Sequence, residues 1–153
     1  MTNQAIAQAF KLLGDLMELH GENPFKANAY SSAAFNIKNL NTDIKDFSLE
    51  ELAHIKGIGK AISAKIRTLI ETAHLPILED LLQKTPEGII EMLNIKGLGA
   101  KKIRIIWQEL NIENIGELLY GCNENRLALL KGFGAKTQET VKKNIEFYLA
   151  HKA

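Results

Sequence analysis

The chain has 153 residues, of which 46% are hydrophobic and 24% are charged, and its formal net charge is +1. This length and composition exclude a disordered tail and suit one globular domain or two small ones. No apolar run approaches the roughly 18 residues that cross a bilayer, the first twenty residues do not resemble a signal peptide, and a single cysteine excludes an internal disulfide. We therefore expect a cytoplasmic protein without a membrane partner.

Helical spacing dominates the sequence from its start. Apolar residues three and four apart run through 4–19, and Pro24 opens a second helix. Pro76 and Pro86 suit the first turns of further short helices, with Thr85 as the N-cap of the second one. No alternating apolar and polar run of the kind typical of strands occurs. We predict an all-α fold built from short helices.

One short motif occurs three times in the chain. Each copy reads apolar-Lys-Gly-apolar-Gly, and the copies begin at Ile55, Ile95 and Leu130, so their first glycines are 40 and 35 residues apart. Apolar residues at helical spacing precede and follow each copy. Each unit is therefore predicted to be a helix, a tight glycine turn and a second helix.

The motif copies and the prolines divide the chain into two parts, with a soft boundary within 72–86. The first part, 1–80, is predicted to be a four-helix unit that contains the first glycine turn. The second part, 81–153, is predicted to be a helical unit that contains the other two turns.

Positive charge is concentrated around the three turns. The segments 56–67, 96–104 and 131–143 contain twelve Lys or Arg residues and one acid, which gives them a net charge of +11 and leaves −10 for the rest. A single basic segment is often only a solvated helix face. Three segments at the same place in a repeated motif favour contact with a polyanion.

The glycine turns themselves indicate where such contact occurs. The first glycine adopts backbone angles barred to other residues, and the second begins a helix whose first N–H groups have no intrahelical partner. These donors and the helix dipole favour a phosphate oxygen, and nearby lysines add charge without base specificity. The apolar residue between the glycines (Ile58, Leu98 or Phe133) is expected to point inward. The residues expected to contact DNA at the turns are Gly57, Gly59, Lys60, Gly97, Gly99, Ala100, Lys101, Lys102, Gly132, Gly134 and Lys136.

The ordered set of motifs resembles a known family. The three units resemble helix-hairpin-helix motifs, and the segments NPFKANAY at 23–30 and IGKAISAKI at 58–66 are similar to the N-terminal region of bacterial family X DNA polymerases. The resemblance extends over 4–148. Bacterial ligases and Holliday-junction proteins share the hairpins but lack the segment at 23–34.

The resemblance implies a lyase-type domain that holds the 5′ side of a gapped DNA, followed by a module that binds the primer strand. Lys26 and Tyr30 match positions that bind the 5′ phosphate and order its pocket. In relatives, hairpin carbonyls and phosphate oxygens coordinate a monovalent cation, so the resemblance implies K⁺ or Na⁺ once DNA binds and no other cofactor. The matching carbonyls are those of Ala53, Ile55, Ile58, Leu93, Ile95 and Leu98.

Polymerase chemistry is not expected within this chain. Two-metal phosphoryl transfer needs clustered carboxylates, and the four aspartates include no Asp-x-Asp pair. The chain therefore resembles either a part whose polymerase catalytic domain lies in cis or a stand-alone relative that lost that domain. Cys122 has no basic neighbour in the sequence and is expected to be a loop thiol rather than a nucleophile.

Lys65 stands where lyase-active members of the family carry a Schiff-base lysine. Partial burial at the edge of the apolar stripe and the nearby Lys60 would favour the neutral amine that this chemistry needs. Ala61 and Phe25 depart from the family pattern, which has lysine and, in some members, histidine at these positions. The alternative is that Lys65 only contacts phosphate.

Three functions are compatible with these observations. The leading hypothesis is sequence-independent binding to the phosphate backbone of gapped, nicked or single-stranded DNA during repair. The first alternative is a 5′-deoxyribose-phosphate lyase that uses Lys65. The second alternative is a protein-binding scaffold that reuses the hairpins, which the low total charge permits.

Overall fold

The computed structural model describes residues 1–152, which form nine α-helices and one 3₁₀ turn without any strand. The predicted all-α class is confirmed. The chain divides into two compact units, of which the first covers Met1–Lys84 and the second begins at Thr85. None of the helices in the described range combines the length and apolar character that crossing a bilayer requires.

The first unit contains five helices. They are α1 (Asn3–Leu19), α2 (Pro24–Lys38), α3 (Leu49–Ala53), α4 (Lys60–Thr72) and α5 (Pro76–Gln83). Helices α1 and α2 cross closely at Gly14, where an added Cβ would lie 2.6 Å from the hydroxyl oxygen of Ser31 and 2.9 Å from the carbonyl oxygen of Ala27. The fully buried side chains of this unit include Ile6, Phe10, Leu13, Leu16, Ile37, Ile44, Leu52 and Ile66.

Side chains cap the first three helices. The hydroxyl of Thr2 accepts a hydrogen bond from the first turn of α1, and the Asn23 side chain accepts two from the first turn of α2, where Pro24 occupies the first position. Ser48 and Glu51 form a reciprocal capping box at the start of α3. These caps occupy amide groups that would otherwise have no partner inside the helix.

Arg67 is one of the twelve cations counted around the glycine turns, and it has a structural role. Its Nη1 donates to the carbonyls of Lys45 at 2.9 Å and Phe47 at 3.2 Å. Its Nη2 lies 2.9 Å from the carboxylate of Glu71, one turn further along α4. The guanidinium therefore fastens the loop before α3 to α4 and is not exposed for a ligand.

The second unit is built from four helices and a 3₁₀ turn. They are α6 (Glu87–Met92), α7 (Ala100–Leu110), α8 (Ile115–Asn123), the 3₁₀ turn Leu127–Leu129 and α9 (Ala135–His151). Residues that face its core include Ile89, Met92, Ile103, Ile106, Leu118, Leu127 and Ile145.

Three local predictions for this unit are wrong. The N-cap of α6 is Pro86, and Thr85 is itself buried at 6% exposure. Cys122 lies in α8 rather than in a loop, and burial raises the pKa of its thiol to about 11, so it is not a reactive thiolate. The segment before the third glycine turn is too short for an α-helix and forms the 3₁₀ turn, which leaves Leu129 87% exposed.

Polar contacts fasten α9 to α6. The hydroxyl of Tyr148 donates to the Glu91 carboxylate at 2.9 Å, and the ammonium of Lys152 lies 2.7 Å from the same oxygen. The hydrogen bonds from Lys152 and then Tyr148 lower the pKa of Glu91, because they stabilise its ionised form. The same face of α9 carries Asn144, so these contacts help to place that side chain beside the second glycine turn.

Glu91 is expected to make stability depend on pH. Because the pKa of Glu91 is lower in the folded state, its stabilising contribution is present above about pH 4.3, the unfolded value, and is lost as pH falls through the folded pKa. Thermal unfolding should therefore show a lower midpoint for Glu91→Gln than for wild type at neutral pH, and the difference should shrink in acid.

The matched control is Glu146→Gln, which removes an exposed carboxylate of α9 that forms no ion pair among residues 1–152. A Glu91→Gln difference that stays constant from neutral to acid pH would contradict the role given to the Glu91 pair.

Candidate nucleic-acid interface

The three glycine turns share one backbone geometry. In each, the fourth residue donates its N–H to the carbonyl of the first residue, from Ile58 to Ile55 at 3.0 Å, from Leu98 to Ile95 at 3.2 Å and from Phe133 to Leu130 at 3.0 Å. The third residue is Gly57, Gly97 or Gly132, with φ of +81°, +79° and +83°. A positive φ at the third position is the mark of a type II turn and explains why glycine follows lysine in all three copies.

A helix starts directly after each turn without a side-chain cap. Gly59, Gly99 and Gly134 are the N-caps of α4, α7 and α9, whereas Asn114 caps α8 through its side chain. No described residue accepts a hydrogen bond from the backbone amides at these starts, which include those of Gly59, Lys60 and Ala61, of Gly99 and Ala100, and of Gly134, Ala135 and Lys136. Each start therefore presents unpaired donors at the positive end of a helix dipole.

The backbone at two of these starts is open to another molecule. Gly59 and Gly99 are exposed, and a Cβ added to either would meet nothing within 4 Å. Neither residue has a positive φ, since the values are −95° and −83°. Glycine is therefore not needed at these positions for the fold of the turn, but it leaves space for close approach to the amides.

Most of the lysines beside the turns face solvent. Lys56, Lys60, Lys96, Lys101, Lys131 and Lys136 are exposed, and Lys102 is half-buried. Of these, Lys56, Lys60, Lys96, Lys102, Lys131 and Lys136 form no ion pair within the described part of the chain. At these six lysines, the positive charge predicted around the turns is thus present without an ion pair to a described residue.

The third turn differs from the first two. Ile58 and Leu98 are buried at 4% and 3% exposure, as expected, whereas Phe133 is only half-buried. Gly134 has φ of +158°, unlike the corresponding glycines of the other turns. The helix before the third turn is also replaced by the 3₁₀ turn. This copy keeps the amide pattern but packs less firmly on its own unit.

The residues singled out on α2 occupy different environments. Lys26 and Phe25 are exposed in the first turn of α2, and Phe25 is 87% exposed. Tyr30 is 5% exposed, and its ring centroid lies 6.0 Å from that of Phe10. Tyr30 therefore packs in the core of the first unit, where it supports the start of α2.

Lys65 lies on α4 between two buried residues. Ile62 and Ile66 are 8% and 0% exposed, and Lys65 itself is half-buried. Its side chain has no hydrogen bond or ion pair with any residue in the described range. Lys60, at the start of the same helix, is exposed.

The carbonyl groups that the family resemblance implies as ligands of a monovalent cation have unused lone pairs. The carbonyls of Ile55 and Ile95 each accept one hydrogen bond, which leaves a second lone pair. No residue among 1–152 donates a backbone hydrogen bond to the carbonyls of Ala53, Ile58, Leu93 and Leu98. An all-carbonyl set of this kind fits K⁺ or Na⁺. The described residues contain no group of three or more His, Cys, Asp or Glu that could hold a metal ion.

Two asparagines contact the turns although no sequence pattern distinguishes them. The side-chain amide of Asn36 donates to the carbonyl of Lys56 at 2.8 Å, and that of Asn144 donates to the carbonyl of Lys96 at 2.8 Å. The partners are 20 and 48 residues apart in the chain. Each asparagine directly precedes a buried isoleucine of its helix, but Asn-Ile pairs also occur elsewhere in the sequence. Only the folded structure identifies these contacts.

Comparison with known proteins agrees with this geometry. Residues 1–75 match a family model described as a helix-hairpin-helix domain, and residues 89–145 match one described as a SAM-like helix-hairpin-helix tandem. The chain is 30% identical over 141 residues to the DNA polymerase/3′-5′ exonuclease PolX of Bacillus subtilis (strain 168). The alignment covers 92% of this chain and 24% of that protein, so the chain spans only a part of its relative's length. Two regions of the chain therefore match helix-hairpin-helix family models, and the chain is similar to the N-terminal region of a family X DNA polymerase.

Proposed function

We propose that the chain binds the sugar-phosphate backbone of DNA without base specificity, as the N-terminal DNA-binding part of a family X repair polymerase whose catalytic domain lies in cis. The observation that carries this proposal is the recurrence of unpaired amides at the starts of α4, α7 and α9. Each start follows a type II turn and lies beside at least one exposed lysine that forms no ion pair with a described residue.

The donors explain why binding would not depend on sequence. Phosphate oxygens accept hydrogen bonds from backbone amides at a helix start, and lysines beside them add Coulomb attraction. Neither kind of contact reads a base edge. At the first two turns, the free carbonyls would hold K⁺ or Na⁺ together with a phosphate oxygen, which adds attraction of the same non-specific kind.

DNA with a gap, a nick or a single-stranded part is the form that we expect to bind best. The support is the start of α2, where Phe25 is 87% exposed beside the exposed Lys26. An exposed aromatic ring can stack on a terminal or unpaired base, and the adjacent ammonium can contact its phosphate. Away from its two ends, an intact duplex offers phosphates but no such base.

Salt dependence tests whether phosphates dominate the binding. Titration of gapped, nicked, duplex and single-stranded oligonucleotides should show that affinity falls at least about tenfold between roughly 50 and 200 mM salt, because each neutralised phosphate adds nearly one unit to the slope of log K against log salt. The interrupted and single-stranded forms should bind more tightly than the duplex. Affinity that is insensitive to salt would contradict the proposal, and a partner protein that gapped DNA does not displace would support the scaffold alternative.

Gly99→Val tests the backbone approach itself. The new side chain would extend into open space, so it should leave the fold intact while it blocks the amides of the α7 start. We expect the affinity for gapped DNA to fall by about ten- to a hundredfold, the value of one or two hydrogen bonds to a charged group. The measurement is a binding titration together with a thermal unfolding curve.

The matched control for this variant is Gly116→Val, at an exposed position near the start of α8 where an added Cβ makes only ordinary contact. This control should leave DNA affinity unchanged. A folded Gly99→Val protein that binds gapped DNA as tightly as wild type would refute the hairpin mechanism.

A second candidate function is removal of a 5′-deoxyribose phosphate by Lys65. The observation that favours it is a half-buried lysine without partners on the helix that begins at the first turn. The neutral amine would attack C1′ of the open sugar and expel water to form a Schiff base. Loss of a C2′ proton to a base would then break the C3′–O bond and release the DNA strand, and water would hydrolyse the imine to free the lysine.

Borohydride trapping tests this second function. Reduction of the Schiff base should link the wild-type protein covalently to incised abasic DNA, and Lys65→Ala should abolish the adduct. Lys84→Ala is the control, because it removes an exposed lysine of the same unit that belongs to neither the glycine turn nor α4. No adduct with wild type, or an equal adduct with Lys65→Ala, would reject the lyase and leave backbone binding untouched.

A further inference from the structure

The central peptide of each glycine turn has a carbonyl that the turn does not use. In a type II turn the hydrogen bond joins the first and fourth residues, so the carbonyl of the second residue, the lysine, has no partner inside the turn. At the first turn the amide of Asn36 donates to the Lys56 carbonyl at 2.8 Å. At the second turn the amide of Asn144 donates to the Lys96 carbonyl at 2.8 Å.

These two bonds have the same form but independent origins. Asn36 comes from α2, which precedes its turn by 20 residues, and Asn144 comes from α9, which follows its turn by 48 residues. The two pairs lie in different units of the chain. A contact that recurs from unrelated helices onto the same atom of the same motif is not a by-product of local sequence.

At the first two turns, the asparagine amide also packs against the first glycine. A Cβ added to Gly57 would lie 2.5 Å from the Asn36 amide nitrogen, and one added to Gly97 would lie 3.1 Å from that of Asn144. The asparagine amide therefore occupies the space beside the glycine. The glycine is needed here both for its positive φ and for the room that it leaves.

The third turn shows that the motif also forms without this contact. No described residue donates a side-chain hydrogen bond to the Lys131 carbonyl, and a Cβ at Gly132 would meet nothing within 4 Å. The buried Gln138 of α9 bonds instead to the amide of Ala128 and to the side chain of Asn125, both at 2.9 Å. Gln138 therefore supports the 3₁₀ turn, and the lysine carbonyl of the third glycine turn receives no side-chain hydrogen bond from a described residue.

We infer that Asn36 and Asn144 are positioning residues for phosphate binding, an inference that rests on the proposed function. The C=O and N–H of one peptide point in opposite directions. By holding the lysine carbonyl on one side, each asparagine holds the N–H of Gly57 or Gly97 on the other, and no described residue accepts a hydrogen bond from these amides. The bond opposes rotation of the central peptide and keeps the amide and the following helix start in one arrangement.

The expected loss of affinity follows from the fraction of molecules in which the turn has the binding arrangement. If a turn without its asparagine adopts the binding arrangement only about a tenth to a third of the time, the apparent Kd rises about three- to tenfold. This range also equals the loss of about one ordinary hydrogen bond. The asparagine itself touches no DNA, so removing it should change affinity without adding or removing a charge.

The experiment compares Asn144→Ala with Asn39→Ala for binding to gapped DNA. Asn39 is a matched control because its side-chain amide donates to a backbone carbonyl, that of Phe35 at 2.9 Å at the end of α2, and not to a carbonyl of a glycine turn. We expect about a three- to tenfold loss for Asn144→Ala and for Asn36→Ala, and no loss for Asn39→Ala. Asn144→Leu, which keeps the approximate shape but lacks the donor, should behave like Asn144→Ala if the alanine variant is too unstable to measure.

A double-mutant cycle separates positioning from general destabilisation. In the Gly99→Val background the second turn is already blocked, so Asn144→Ala should weaken DNA binding little further. An equal loss in both backgrounds would show that Asn144 only supports the fold, and it would overturn the inference, as would wild-type affinity in folded Asn144→Ala. If Gly99→Val weakens binding and Asn144→Ala does not, the inference fails while the proposed function stands; if Gly99→Val has no effect, the proposed function fails.

Discussion

The proposed DNA interface depends on backbone amides that have no hydrogen-bond partner among the described residues. Four of the nine α-helices in residues 1–152 have a side-chain cap on their first donors, supplied by Thr2, Asn23, Ser48 and Asn114. The three helices after the glycine turns begin at glycine and supply none. Unpaired amides are tolerated because the starts are open to water, and water is the partner that a phosphate oxygen can replace.

The glycine turn is the constraint that makes these starts possible. A positive φ at the third residue lets the chain reverse within four residues and enter a new helix at once. The apolar residue between the glycines then fastens the turn to its own unit, as Ile58 and Leu98 do. Where this residue is only half-buried, as at Phe133, the turn keeps its hydrogen bond but has less support.

Support from outside the motif distinguishes the turns from one another. Helices α2 and α9 are remote from the turns in sequence, yet each places an asparagine on a turn carbonyl. On α9 the contacts of Tyr148 and Lys152 with Glu91 secure the same helix face that carries Asn144. Under the proposed function, the motif supplies donors for a phosphate, and a helix remote in sequence holds the turn that presents them.

Local sequence patterns determined the fold class and the positions of the glycine turns. Periodicity and glycine placement are enough to predict the all-α class, the three turns and the helices that follow them, because the helical period and the need for a positive φ are properties of neighbouring residues. Only the tertiary structure decided that Tyr30 packs on Phe10, that Arg67 fastens a loop, and that Asn36 and Asn144 hold two of the turns. Such roles depend on which side chains meet after distant helices pack together, and identical residue types at similar spacing leave that choice open.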